Sequence, residues 1–506
     1  MQSAGFRAVI LFIMLSIMAF IAGSLAADSA SSALVPTLLV VGVFFLLYLG
    51  KNAWALVFIV PSILSVLSFG VLQKLPVGNL IGGVVLVYMM LMAIMGHLRL
   101  RWNGIFYLDA IFLIFYVYFF YGWVRHPVTI REFTSITDYG YDQQLGGSVY
   151  IYAIASIFPF LVSSLLNQKL DKILFVLKLA FWITMAISVF SMLRNYGSLL
   201  QKDSAAGVYG ETRVTVFATV GQNIITFLLC KSTFFGILIS PWKLMLAGAG
   251  AIGVLWSGFR LKLVEIFSMV LWVSFFARQL LMLFFLMLFS WGAVVYLSYQ
   301  IDFDEDLPLS VRRVATIVPG VKLDEHKVGN AFHSIEWRFK MWELAFDPDS
   351  GYIEDYTWGD GFGYSVYRER LRFTADAYGL LDVRNDYRQY AYTGGWHSGV
   401  IVAIHRTGYV GLALLLWLVI ASLCVIYAVC KHMPKVKNRT YGLFYIVSAI
   451  GSAVNLLLEH GFNSLFLNFI FQASIAKLLY CTLRDEGYIV VNKGRKYYVP
   501  MLMRAD

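Results

Sequence analysis

Charged side chains are scarce in this chain of 506 residues, because Asp, Glu, Lys and Arg together make up only 14% of it. Soluble domains carry roughly 25% charged residues. Hydrophobic residues make up 59% of the sequence, and 16% of all residues are aromatic. This composition excludes a soluble enzyme and an intrinsically disordered protein, and it favours a protein embedded in a lipid bilayer.

Cysteine is also rare: the sequence contains four, and no C-x-x-C pair occurs. All of them lie within apolar runs or at their ends, where cysteine usually serves as a small buried side chain. These residues are Cys230, Cys424, Cys430 and Cys481. A disulfide-stapled secreted module is therefore excluded.

Acidic residues are concentrated in one part of the chain. Residues 299–396 hold 17 Asp and Glu against 11 Lys and Arg, whereas the remainder holds 13 acidic and 29 basic residues. A polytopic membrane protein with one large soluble loop explains this division, because the short cytoplasmic loops of such proteins are enriched in Lys and Arg. The basic excess then reflects membrane topology, and no nucleic-acid partner is expected.

Long apolar runs predict an all-α polytopic membrane protein with about fourteen transmembrane helices, since about 20 apolar residues cross a bilayer. They divide the chain into a transmembrane bundle at 1–298, a large loop at 299–396, C-terminal transmembrane helices at 397–480 and a cytoplasmic tail at 481–506. The first run is longer than the usual core of a signal peptide, so we expect an uncleaved anchor. The predicted spans are 8–26, 34–49, 54–73, 79–96, 105–123, 148–166, 173–193, 214–230, 244–259, 261–277, 279–298, 408–430, 441–457 and 463–480.

The distribution of Lys and Arg orients these spans. With the N-terminus in the cytoplasm, alternate short loops are basic, whereas loops on the other side carry fewer bases or mix them with acids. Both termini are then cytoplasmic, and the 299–396 loop lies outside. The predicted cytoplasmic positions include Lys51, Arg99, Arg101, Lys169, Lys172, Lys231, Lys243, Arg278, Lys431, Lys435, Lys437 and Arg439.

The external loop contains one predicted amphipathic helix, over residues 333–346. Its apolar residues recur at helical spacing and form one stripe, with Arg338 near the edge. Such a helix can lie in the membrane interface, with an arginine beside its buried side. The stripe consists of Ile335, Phe339, Trp342 and Phe346.

Several residues that could bind anions or transfer protons are predicted on the same external face. His397 stands at a helix N-terminus, whose dipole disfavours the imidazolium, so a neutral general base is expected there. Trp342, His405 and His460 are further candidate contacts to a substrate. Arginine binds phosphate-like anions through two parallel charged hydrogen bonds, and the candidate arginines are Arg213, Arg260, Arg338 and Arg406.

The helix that follows His397 is predicted to be unusually long, at about 32 residues where about 20 suffice to cross a bilayer. Its first two turns are therefore expected to stand above the bilayer, bounded by Gly408 and Gly411. That position would make the polar pair His405 and Arg406 tolerable and would place them near the outer surface.

Two acidic pairs have the spacing of metal ligands. Asp302-Phe-Asp304 is followed by further acids and is typical of a solvated acidic run, and Asp347-Pro-Asp349 is typical of a turn. The sequence therefore predicts no metal ion and no other cofactor.

Three motifs follow one another along the chain: Trp256-Ser-Gly-Phe-Arg260, then Arg338-x-x-x-Trp342 with Gly359-x-Gly361-Phe362, then His397-Ser398 with Arg406, Gly408 and Gly411. Their order resembles the O-antigen ligase and O-antigen polymerase superfamily of bacterial membrane glycosyltransferases. The resemblance is clearest over residues 255–430. The chain departs from the family at Arg406, where Glu is usual, and it has more predicted helices than the ligases.

The resemblance implies a GT-C-like fold in the bacterial inner membrane, with the active site facing the periplasm. Such an enzyme transfers a glycan from undecaprenyl diphosphate to a sugar hydroxyl, without a nucleotide sugar and without a metal ion. It implies that His397 deprotonates the acceptor and that Arg260 and Arg338 bind the diphosphate. Its partners would be the lipid-linked glycan, an acceptor glycan or lipid A core, the bilayer and a chain-length regulator.

Three functions are compatible with the sequence. We expect a polymerase of O-antigen or exopolysaccharide repeat units, because of the helix number and the loop size. A ligase that joins the glycan to lipid A core is the nearest alternative. A transporter of polysaccharide or lipid-linked glycan is the third; transporters carry ionisable groups near the bilayer midplane, where this sequence offers only Asp109, Lys178 and Glu265, each near a predicted helix end.

Overall fold

The computed structural model describes a large part of the chain, and its regular elements there are helical. No strand occurs in the described residues. Helices suit a bilayer because they satisfy their own backbone hydrogen bonds. The all-α class is therefore confirmed for the described residues, which are 46, 48–64, 76–126, 148–202, 215–256, 260–300, 320–321, 329–347, 350–362, 396, 398–433, 436, 439–458 and 462–489.

The helices are numbered in chain order. They are α1 (Leu56–Leu64, after a 3-10 helix at Gly50–Ala55), α2 (Val77–Ile94), α3 (Phe106–Arg125), α4 (Ser148–Leu165), α5 (Leu170–Lys202), α6 (Thr215–Lys231), α7 (Phe234–Leu238), α8 (Pro241–Trp256), α9 (Arg260–Phe276), α10 (Leu280–Gln300), α11 (Gly329–Phe346), α12 (Gly399–His432), α13 (Arg439–Leu458) and α14 (Phe462–Asp485).

Among the described residues, six helices are long and apolar enough to cross a membrane: α3, α10, α12, α13 and parts of α5 and α14. Shorter apolar segments lie in α2, α4, α6 and α8. These helices are consistent with a helical membrane protein. The total of about fourteen spans and the GT-C-like arrangement stay predictions, and the predicted span 8–26 lies outside the described residues.

The amphipathic helix of the large loop is α11, and its packed face differs from the predicted stripe. Met341 and Ala345 are buried, whereas Phe339, Trp342 and Phe346 are exposed. The spacing of apolar residues identified the helix but not its buried face. In the segment that follows, the hydroxyls of Ser350 and Tyr356 donate to the carbonyls of Leu344 and Ala345. The three exposed residues of the stripe are left available for the membrane interface that the sequence predicts.

The core forms where α12, α13 and α14 pack against one another, with α3 and α4 beside them. Large side chains fill it, including Trp396, Tyr150 and Phe469, which are almost fully buried. α10 differs, because Leu283 and Ser298 are its buried residues and its other side chains are mostly exposed and apolar. An apolar helix with so little buried surface is typical of one that faces lipid.

Contacts between helices show which helix ends lie together. Tyr118, near the C-terminal end of α3, donates a hydrogen bond to the carbonyl of Thr407 near the start of α12, at 2.7 Å. Gly399 begins α12 and lies so close to Leu456, near the end of α13, that a Cβ at this glycine would overlap the Leu456 carbonyl. We call this side of the bundle the loop end, because residues 350–362 pack there.

Candidate functional site

Helix α12 is broken at Gly408. The backbone of this glycine has φ +66° and ψ −176°, far from helical values, and the helix resumes at the next residue. Only glycine adopts this conformation readily. The break frees the carbonyls of His405 and Arg406 and the N–H groups of Tyr409 and Val410, which a continuous helix would pair with each other.

Residues 356–361 of the large loop supply the partners that the break removes. The N–H groups of Asp360 and Gly361 donate to the carbonyls of His405 and Arg406, at 2.8 and 3.0 Å. In return, the N–H groups of Tyr409 and Val410 donate to the carbonyls of Tyr356 and Thr357, at 2.8 and 3.3 Å. Backbone groups that are freed inside a membrane protein need other hydrogen-bond partners. The loop segment supplies these partners and so completes the backbone hydrogen bonding of α12 at the break.

Two glycines allow this close approach. A Cβ at Gly408 would overlap the carbonyl oxygen of Thr357, and a Cβ at Gly359 would overlap the backbone nitrogen of Thr407. Gly359 also has a positive φ, of +80°. The first glycine of the Gly-x-Gly motif therefore lies directly against the backbone of α12.

His405 is fully buried at this contact and connects two other groups. The indole N–H of Trp396 donates to its Nδ1 at 2.9 Å. Because Nδ1 accepts this bond, the imidazole proton is assigned to Nε2, which lies 3.3 Å from Oδ2 of Asp360. The side chains of Trp396, His405 and Asp360 therefore form a buried chain of hydrogen bonds, which we call the Trp–His–Asp chain.

Asp360 is held in its ionised form. Burial acts to raise the pKa of this carboxyl, but hydrogen bonds from His405 and from the N–H groups of Asp355 and Glu354 outweigh it and lower the pKa to about 2. The usual value is 3.8. The carboxylate therefore stabilises the docked loop as long as it stays charged.

This lowered pKa predicts a pH dependence of stability. Because the pKa is depressed in the folded protein, the contribution of Asp360 is complete above the unfolded value near 3.8 and is lost as the pH falls towards about 2. This contribution of Asp360 to the free energy of unfolding is about 2 kcal/mol. We expect Asp360→Asn to lower the melting temperature in detergent at pH 6, and the difference from wild type to shrink steadily between pH 4 and about pH 2.

Glu343→Gln, on an exposed part of α11, is the control for this measurement, since its carboxylate is not among the groups bonded to the docked loop. A melting difference for Asp360→Asn that stays constant over the whole acid range would contradict a charge-based role.

Arg406 is enclosed at the same contact. The predicted position near the outer surface of the membrane stays a prediction. In the structure Arg406 is only 3% exposed, and its Nη1 donates to the carbonyl of Gly361 at 3.2 Å. The docked loop covers it, which the length of the apolar run does not reveal. Its described contact therefore ties the loop to α12, and anion binding by Arg406 stays a prediction.

An ion pair fastens the loop to α3 as well. Arg125 Nη2 lies 2.9 Å from Oδ2 of Asp355, while Oδ1 accepts the N–H groups of Thr357 and Trp358 at 2.9 Å each. Burial acts to raise the pKa of Asp355, but these hydrogen bonds and the guanidinium lower it overall. The loop is thus held by α3 on one side and by α12 on the other.

The other predicted site residues lie on α11, at the start of α9 or outside the described residues. Arg338 is exposed on α11, and α11 is joined to the loop by Tyr356, whose hydroxyl donates to the carbonyl of Ala345 at 2.7 Å. Trp342 is partly exposed on the same helix. Arg260 is the first residue of α9. His397, Arg213 and His460 lie outside the described residues, although Trp396 and Ser398, on either side of His397, are both buried.

A second buried polar group at the loop end was not recognised as a site from the sequence. Glu265 of α9 is 3% exposed and accepts hydrogen bonds from Gln222 of α6, from Asn455 of α13 at 2.8 Å and from Lys262 at 2.6 Å. We call these four residues the Glu265 cluster. The sequence showed Glu265 within a predicted span, but its partners come from distant parts of the chain.

No group of His, Cys, Asp or Glu side chains in the described ranges could hold a metal ion. Asp302 and Asp304, the first acidic pair considered from the sequence, lie outside those ranges. The expectation that the protein needs no metal therefore stays a prediction.

Comparison of the chain with protein-family models and with curated proteins gives no match. The family resemblance rests on the sequence motifs, and the function has to be argued from the residues gathered at the loop end.

Proposed function

We propose that the protein is a membrane glycosyltransferase that transfers a glycan from a polyprenyl diphosphate to a sugar hydroxyl at the loop end. Its first form is a polymerase of O-antigen or exopolysaccharide repeat units in the bacterial inner membrane. The supporting observation is the docking of residues 350–362 onto the broken helix α12. This docking gathers Arg406, the flanks of His397 and, through Tyr356, the helix that carries Arg338.

The chemistry of the reaction matches this set of residue types. A diphosphate leaves readily when its developing negative charge is neutralised, and arginine is well suited to that task. A neutral histidine can remove the proton of the acceptor hydroxyl. The donor stays anchored in the bilayer by its polyprenyl tail. Phe339 and Trp342 are exposed apolar residues close to Arg338 on α11, and their insertion into the membrane interface would place this arginine at the level of the lipid headgroups.

Purified protein in detergent, supplied with lipid-linked glycan, tests the proposal. We expect His397→Ala and Arg338→Ala each to reduce the rate of transfer by at least about a hundredfold, as loss of a general base or of charge stabilisation does. Arg338→Ala should leave folding unchanged because the residue is exposed. Lys340→Ala, which removes another basic residue of α11, should leave the rate near that of wild type.

Full transfer by both variants would refute the proposed site. Inhibition by EDTA that a divalent cation reverses would refute the metal-free mechanism.

Loss of a polymerase in cells leaves single repeat units, whereas loss of a ligase leaves long chains that are not attached to lipid A, so glycan length separates these two enzymes. A transporter would not consume lipid-linked glycan in detergent at all.

A further inference from the structure

The Glu265 cluster contains a hydrogen-bond acceptor that no described residue satisfies. Oδ1 of Asn455 is buried and has no partner among them, and the residue is 4% exposed. Nδ2 of the same amide donates to Oε2 of Glu265 at 2.8 Å, so Oδ1 faces away from that carboxylate. A buried carbonyl oxygen without a donor is unfavourable, so this atom points to a ligand that donates a hydrogen bond.

A second unsatisfied oxygen lies on the adjoining segment of backbone. Oγ of Ser398 is buried, makes no capping bond to α12 and has no partner among the described residues. Ser398 directly precedes Gly399, which lies against the carbonyl of Leu456, and Leu456 directly follows Asn455. The two oxygens therefore belong to neighbouring positions, one just before the start of α12 and the other near the end of α13.

The charges of the cluster exclude some ligands. The carboxylate oxygens of Glu265 accept three donors, and one of these is the ammonium of Lys262, which lies 2.6 Å from Oε2. A metal or sodium ion would add positive charge where Lys262 already supplies it. A hydroxyl group fits better, since it can donate to Oδ1 of Asn455 and accept from the O–H of Ser398.

We propose that Asn455 and Ser398 bind a hydroxyl group of the acceptor sugar, and that Glu265 is a positioning residue that fixes the Asn455 amide. This inference rests on the proposed function, which it deepens by assigning an acceptor subsite. A neutral sugar hydroxyl is the group recognised. Ser398 directly follows His397, the proposed general base, in the sequence.

Binding of a defined glycan tests the subsite independently of turnover. The probe is the repeat-unit oligosaccharide of the host, released from its lipid, and isothermal titration calorimetry measures its affinity for the full chain in detergent. We expect Ser398→Ala and Asn455→Leu each to weaken binding about tenfold, as loss of one hydrogen bond to a ligand does. Asn468→Leu, at an exposed asparagine of α14, should bind as wild type does.

Ser398→Ala is the variant less expected to disturb folding, since the Ser398 hydroxyl makes no hydrogen bond to a described residue that the substitution would remove. A series of synthetic acceptors, each lacking one hydroxyl, tests the same contact by changing the ligand and leaving the protein unaltered. One of these deoxy acceptors should bind wild type about tenfold more weakly, and Ser398→Ala should no longer distinguish it from the parent.

The outcomes separate the two proposals. Normal transfer by wild type with unchanged binding by both variants would overturn the subsite and leave the glycosyltransferase standing. Weakened binding in a protein that transfers nothing would uphold the subsite and overturn the enzyme. Binding of sodium ions that Asn455→Leu abolishes would overturn the hydroxyl assignment.

Discussion

Replacing Gly408 with alanine is expected to destabilise the protein by about 3 kcal/mol or more and to abolish the proposed glycan transfer. The backbone at this position has φ +66° and ψ −176°, which alanine adopts only with strain. The added Cβ would also overlap the carbonyl oxygen of Thr357. Since the loop backbone cannot stay in place, the hydrogen bonds that residues 356–361 make to the break are expected to be lost together.

Thermal melting in detergent and the transfer assay measure this effect. Gly292→Ala is the matched control, because Gly292 lies inside α10 with no other atom within 4 Å of the added Cβ. Alanine favours a helix over glycine by about 1 kcal/mol, so the control should be neutral or slightly stabilised. A Gly408→Ala protein that melts and transfers like wild type would show that the break does not hold the site.

The second large effect is expected at the opposite end of the bundle, where Lys477 is fully buried. Its ammonium bonds Asp109 and Ser164 and lies 3.8 Å from the centre of the Phe160 ring. Lys477 thereby joins α14 to α3 and α4. Removing one member of a buried ion pair costs about 3–5 kcal/mol, because it leaves the other charge unpaired, so Lys477→Ala should lower the melting temperature by about 5 °C or more.

The double variant Lys477→Met with Asp109→Asn removes both charges and keeps most of the volume, so it should recover much of the lost stability. Lys178→Ala is the control, since Lys178 is exposed on α5. Equal melting temperatures for the single and double variants would contradict the ion-pair explanation. Normal activity of the folded double variant in the transfer assay would further show that the Lys477–Asp109 ion pair has no part in the proposed reaction.

Local properties of the chain made much of the described fold predictable. In a bilayer an apolar run of about 20 residues is expected to form a helix, because a helix pairs its own backbone groups. The predicted spans 105–123, 148–166 and 279–298 agree with α3, α4 and α10 to within about two residues. The helix of the large loop was likewise evident from its spacing. Its packed face was not, because Met341 and Ala345 are covered by segments that spacing on α11 cannot describe.

The candidate site was less predictable because its partners are remote in the chain. His405 and Arg406 were noticed as polar residues near the start of a long helix, but their carbonyls are paired with Asp360 and Gly361. Glu265 bonds a glutamine 43 positions earlier and an asparagine 190 positions later. Pairings of this kind follow from how helices assemble, which one sequence does not state.

The docked loop also limits how the chain can change in length. The segment from Tyr356 to Gly361 meets α12 at both of its ends, accepting from Tyr409 and Val410 and donating to carbonyls before the break. A residue inserted or deleted between Thr357 and Asp360 would put one set of donors and acceptors out of register with the other. Any relative that shares this architecture should therefore keep that spacing constant, even where its loop residues differ.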